Sequence, residues 1–283
     1  MERYYHLYTS PLKGSLLFYD DSDRRFFLNR LSILLPDYNI CVYVYCLMDN
    51  HVHFLISGVK DDVENLFLEM ARIYARYFRE SSRKLAPNSF KPGMRLIESE
   101  NDFKIVTSYI LRNPLAAGIA APDCYKWSSC FLYFNPWLSS LRKELVKEYG
   151  TMKFRAENST RVVLPDSITL IDGIINPARW CGYKKVEKIF GTSMDFFKML
   201  GRWTIENEEN SAIDGIEKNG YPDSQLLAKV ADYCAESGAD STSSLSSIDM
   251  RRLISVAHRR WGASKQQIAR VIGASDDIIE RYY

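Results

Sequence analysis

Residues 39 to 47 read NICVYVYCL, nearly all β-branched, aromatic or apolar side chains with no charge among them. A strand with one wet face alternates polar and apolar residues, and this run does not. It therefore predicts a strand buried on both faces, around which a sheet must be built. Asp49-Asn50 follows with turn chemistry, and His51 to Ser57 (HVHFLIS) reads as a second strand, so the two form a hairpin. With 283 residues and 46% hydrophobic content, the chain is long enough for one large domain or two and can bury a real core.

The flanking pattern extends the sheet. Tyr4 to Thr9 reads as a short aromatic strand, broken by Pro11 and Gly14. A helix begins at Asp21, with acidic residues in its first turn and Phe26, Phe27, Leu28, Leu31, Leu34 and Leu35 on its apolar side, and Pro36 ends it. Asp61 to about Lys84 is the clearest helix, with Val63, Leu66, Phe67, Met70, Ile73, Tyr74, Tyr77 and Phe78 on one side. Pro87, Pro92 and Gly93 mark a loop, and Met94 to Glu98 reads as a short strand. Asp102 to Arg112 reads as a helix stopped at Asn113-Pro114, because the residue before proline avoids the α region. The order β-α-β-β-α-β-α predicts an α+β fold: a ferredoxin-like antiparallel sheet with helices on one face, plus one extra helix.

Beyond this N-terminal domain (1–135) the signal weakens. Trp127, Phe131, Tyr133, Phe134 and Trp137 look like a packed connector, and residues 136–247 read as a connector of unknown role ending in the linker-like SGADSTSSLSS. The mostly helical C-terminal region closes on a helix-turn-helix-like segment, 248–283. There Ile248 to Trp261 is helical, SKQQIARVIG is a capped short helix ending in glycine, and Ser275 opens a third helix.

The net charge of +2 argues against a protein that binds nucleic acid through overall basicity, so any such binding rests on local patches. One candidate is the C-terminal stretch 250–283, with seven basic and three acidic side chains, among them Arg259, Arg260 and Lys265. The other is Arg72, Arg76, Arg79 and Arg83, whose spacing makes a stripe along one helix that could track phosphates or simply be a solvated face. Six cysteines without a CxxC pair read as reduced thiols. The opening MERYYHLYTS lacks a cationic flank followed by an apolar run, and no stretch has the roughly 18–20 apolar residues of a membrane span. The expectation is a soluble, cytoplasmic protein with no membrane partner. No Walker loop or GxGxxG is present.

Two of the four histidines are His51 and His53. On a strand, residues i and i+2 share a face, so both imidazoles project together while Val52 points into the core. Two neutral imidazoles on one strand make half a metal site, or are two structural histidines. In SYILRNP (108–114), Tyr109 and Asn113 fall on the same side of a helix. Tyr109 could be a nucleophile and Asn113 an amide-oxygen ligand; the plainer alternative is one of 18 ordinary tyrosines and a residue near a helix end.

Three stretches in order, YxxCLMDNHVHFLI from Tyr43, YILRNPLAAGI from Tyr109 and YKWSS at 125–129, resemble the single-tyrosine HUH transposases of insertion sequences, most nearly the REP-associated tyrosine transposases. The similarity spans roughly residues 4–130. It implies Tyr109 as the catalytic tyrosine, His51 and His53 as the metal pair, Asn113 as a third ligand and Mg²⁺ or Mn²⁺ as the ion. It also implies single-stranded or hairpin DNA as the partner, and a monomer or a homodimer. Two departures bear on DNA contacts: Ala116 stands where relatives commonly have arginine, and YHLYTSP lacks an asparagine-arginine pair frequent after the first strand. The implied function is a metal-dependent transposase that cleaves and rejoins DNA through a 5′-phosphotyrosine. The alternatives are a catalytically silent, transposase-derived DNA-binding regulator, and a phosphodiesterase that hydrolyses without a covalent intermediate.

Overall fold

A computed structural model describes residues 3–9, 16–81, 90–117, 119–201, 221, 223–259, 261, 263, 265–274 and 278–279. Its N-terminal elements are β1 (Arg3–Thr9), α1 (Asp21–Leu34), β2 (Cys41–Met48), β3 (His51–Gly58), α2 (Lys60–Glu80), β4 (Pro92–Ile97) and α3 (Glu100–Ala116). The side chains of Asp20 and Ser99 accept the amide hydrogens of Asp23 and Asp102, each at 3.0 Å, and so cap the first turns of α1 and α3. The four strands form an antiparallel sheet in the order β2-β3-β1-β4. The chain is thus α+β with antiparallel sheets, and the hairpin read from residues 39–57 forms one side of the four-stranded sheet, β2 at its edge and β3 inside.

Strand alternation splits the core in two. Leu7, Val52, Phe54 and Ile56 point to one face and pack with α1 and α2. Val44, Cys46, Met48 and Leu55 point to the other and pack with Phe103, Val106, Ile110 and Leu111 of α3. Helices therefore cover both faces, and the extra helix α3 supplies the second layer. It shares that layer with α6 (Tyr183–Phe190) and α7 (Ser193–Gly201).

Residues 125–133 have a role the sequence did not show. β2 is an edge strand, and an uncovered edge leaves backbone groups unpaired. Here Leu47 N–H donates to the Trp127 carbonyl at 2.9 Å, and Tyr125 Oη donates to the Leu47 carbonyl at 2.7 Å. Ser129 Oγ accepts the Tyr45 amide hydrogen at 2.9 Å and lies 2.7 Å from Tyr133 Oη, which donates to the Tyr43 carbonyl at 2.7 Å. Trp127 and Tyr133 are buried as expected, but Trp137 is 71% exposed and is no part of the packed connector. Ser129→Ala should strand the buried Tyr45 amide and cost about 1–3 kcal/mol. Urea unfolding would measure it, and a loss under about 0.5 kcal/mol, the size of an ordinary surface change, would show that the edge is satisfied another way.

One boundary needs correcting. α3 does not stop before Pro114 but runs through it to Ala116. Proline has no amide hydrogen for the carbonyl four residues back, Ile110. The Asn113 side chain compensates, its Nδ2 donating to the carbonyls of Tyr109 at 3.0 Å and Ile110 at 3.5 Å.

The connector folds into β5 (Glu144–Leu145), α4 (Val146–Tyr149), α5 (Thr151–Glu157), β6 (Thr169–Ile171) and β7 (Ile174–Ile175), with a small three-stranded sheet β5-β6-β7. In the C-terminal region, α8 (Asp223–Glu236), α9 (Ser247–Arg259) and α10 (Lys265–Ile272) share one apolar cluster that includes Leu226, Val230, Leu253, Ile254 and Ile268. Gly273 ends α10 at φ +70°, as its position after the helix requires. Most of the third helix read from Ser275 lies outside the described residues. No described helix is long and apolar enough to cross a membrane.

Candidate active site

His51 and His53 lie on β3 facing α3, with Val52 turned into the opposite core, as alternation requires. Both are shut from solvent, at 2% and 1% exposure. Their rings meet edge to face, centroids 4.8 Å apart. α3 lays Tyr109 above them: its half-buried ring stands edge-on to His53 at 5.5 Å and to His6 at 5.6 Å. One turn on, Asn113 is 3% exposed. Because its Nδ2 is committed to backbone carbonyls, its oxygen is the end left to face the imidazoles.

His6 is the residue the sequence reading missed. It sits on β1, and its Nε2 lies 3.0 Å from His53 Nδ1. Tyr8 on the same strand packs its ring 4.9 Å from His6 and 6.1 Å from His53. That ring covers Gly93, where an added Cβ would lie 2.4 Å from it, so glycine lets β4 pass beneath without moving the ring. The signal available in the sequence was the alternation of YYHLYT. It places His6 with Tyr4 and Tyr8 but cannot say that β1 lies beside β3.

Burial sets the charge of the cluster. Desolvation, reinforced by His51, holds His53 well below the usual histidine range. His51 is pushed down to about 3, chiefly by desolvation, with the Arg270 guanidinium adding to the effect. His6 is driven down by burial and then by His53. The Asn113 side chain opposes the drop at both His51 and His53. All three rings are neutral near pH 7.

The two Nε2 atoms are the chemical point. His51 Nδ1 is engaged by Asn50 Oδ1 at 2.7 Å and His53 Nδ1 by His6, while both Nε2 atoms are buried without a partner. Buried polar atoms are rarely left so. Two unpartnered imidazole nitrogens beside an amide oxygen suit a divalent ion that accepts mixed nitrogen and oxygen donors. Among the described residues no group of three or more His, Cys, Asp or Glu is placed to hold a metal, so the amide oxygen would have to complete the set. Cysteine chemistry is disfavoured here, since burial pushes Cys46, Cys130 and Cys181 upward and keeps them thiols.

The basic residues are not gathered at this site. Arg72, Arg76 and Arg79 are exposed on α2, which packs on the sheet face away from His51 and His53, and Arg72 also pairs with Glu69 at 3.8 Å. Arg83, Arg260 and the Arg259 side chain lie outside the described residues. Lys265 is half-buried in the first turn of α10. The hairpin turn is also more than a turn. Asp49 and Asn50 are buried, with Asp49 in an ion pair with Arg24 and its carbonyl accepting the amides of Leu17 and Phe18 at 2.8 and 2.9 Å. Comparison with family models, curated proteins and solved structures found no match.

Proposed function

We propose that the protein is a metal-dependent, single-tyrosine DNA strand transferase of the HUH transposase type, with the ferredoxin-like N-terminal domain as its catalytic unit. The observation that carries this reading is the pair of unpartnered, buried Nε2 atoms under the ring of Tyr109. The sheet order and the two helices on one face agree with the fold, and the motif resemblance supplies the reaction.

His51 Nε2, His53 Nε2 and Asn113 Oδ1 would hold Mg²⁺ or Mn²⁺. Such an ion supplies Lewis-acid polarisation of a scissile phosphate. Tyr109 Oη attacks phosphorus and releases its proton to solvent, the bond to the 3′-oxygen breaks, and that oxygen takes a proton from solvent, leaving a free 3′-hydroxyl and a 5′-phosphotyrosine. The phosphoester is conserved, so a second 3′-hydroxyl can reverse the step and join strands without ATP. His6 and Tyr8 hold the His53 ring in place and exclude water from it. DNA binding by the α2 arginines or by the C-terminal helix-turn-helix-like segment belongs to the same reading.

The test is incubation with labelled single-stranded hairpin DNAs and Mn²⁺, followed by a denaturing gel. The expected result is label migrating with the protein and lost on adding EDTA. Released fragments with no protein-linked label would replace strand transfer with hydrolysis. Binding without cleavage across many hairpins would favour a silent regulator.

A further inference from the structure

The C-terminal bundle reaches the histidine pair through one carboxylate. Asp223, in the first turn of α8, is gripped by Arg270 of α10: Nε donates to Oδ2 at 2.8 Å and Nη2 to Oδ1 at 2.9 Å. Gln267 Nε2 adds a bond to Oδ1 at 3.1 Å. The same carboxylate accepts from Asn50 Nδ2 at 2.8 Å. Nearby, Ser224 N–H points at Asp49 Oδ2 at 3.4 Å, so α8 rests on both residues of the hairpin turn.

The donor and acceptor roles then follow from the Asp223 carboxylate. An ionised carboxylate only accepts, so Asn50 must turn its NH₂ towards Asp223. Its oxygen therefore faces His51 Nδ1, 2.7 Å away, and that nitrogen must carry the proton. A neutral imidazole has one N–H, so His51 Nε2 is left as a bare lone pair directed at the site.

We propose that Asp223 is a positioning residue for the active site, acting through Asn50 to hold His51 in the one tautomer that can bind a metal. Resting on the metal reading above, this makes the C-terminal bundle part of the catalytic assembly, whether or not it also binds DNA. Without Asp223 the Asn50 amide can turn over and present its NH₂ to Nδ1. That favours the proton on Nε2, where it blocks ligation.

The experiment uses the full chain in two variants, Asp223→Ala and Asp223→Ala/Arg270→Met. The double variant removes both charges together, so that no guanidinium is stranded near His51. Long-range ¹H–¹⁵N spectra of the metal-free protein at pH 7.5 report the His51 tautomer, and calorimetry reports Mn²⁺ affinity. Expected are an Nδ1–H tautomer in the wild type, a growing Nε2–H population in both variants, and Mn²⁺ affinity lower by about 10–100-fold, the usual effect of losing a ligand's outer partner. An unchanged His51 tautomer in a folded double variant would overturn the proposal. A wild type that takes up no Mn²⁺, yet whose tautomer shifts when Asp223 is lost, would sink the metal reading and support the relay.

Discussion

Tyr109→Phe is expected to abolish the covalent protein–DNA product while leaving DNA binding in place. The substitution keeps the ring that stands edge-on to His6 and His53 and removes only the hydroxyl. Packing should hold and stability should move by no more than about 0.5 kcal/mol, as for a change that leaves buried contacts intact. The loss of product should be at least about a thousandfold, the scale seen when a covalent nucleophile is removed. A gel-shift for binding and a denaturing gel for the adduct separate the two effects. If the phenylalanine variant still formed the adduct, another hydroxyl would be the nucleophile. If it cleaved without an adduct, the site would be activating water.

The second large effect is on acid stability. His6, His51 and His53 all have folded-state pKa values pushed below 6.5, mainly by burial. In the unfolded chain they titrate near 6.5, so below that pH the unfolded state binds more protons. Stability therefore rises with pH in this window and falls as the pH drops below about 6.5, continuing for His51 down to about 3. Each histidine adds a slope of up to about 1.4 kcal/mol per pH unit, and the three act on one cluster. Urea midpoints in EDTA between pH 7.5 and 5 should fall with a slope equivalent to between about one and three protons. A flat profile would mean that protons reach the cluster without unfolding the chain. If the proposed ion binds, added Mn²⁺ should steepen the profile, because ion and proton would then compete for the same nitrogens.

Much of the arrangement was legible in the sequence because it depends on period alone. The unbroken apolar run 39–47 requires a strand buried on both faces, and the period of two puts His51 and His53 on one side of β3. The helical period does the same for Tyr109 and Asn113 on α3. The arginine stripe was legible as a stripe, but not the side of the sheet it would occupy. Proline rules placed the end of α3 too early, because the Asn113 side chain takes over from the missing amide hydrogen.

What the sequence determined by itself is therefore the local half of the site: two imidazoles on a strand face, and a tyrosine and an amide on a helix face. Only the tertiary structure decided that these faces meet, that His6 from β1 backs His53, and that Asp223, 173 positions beyond Asn50, holds the turn before His51. The physical reason is that strand order and helix docking are fixed by burial of whole faces. Covalent spacing gives each side chain its direction, but not the neighbour it will find there.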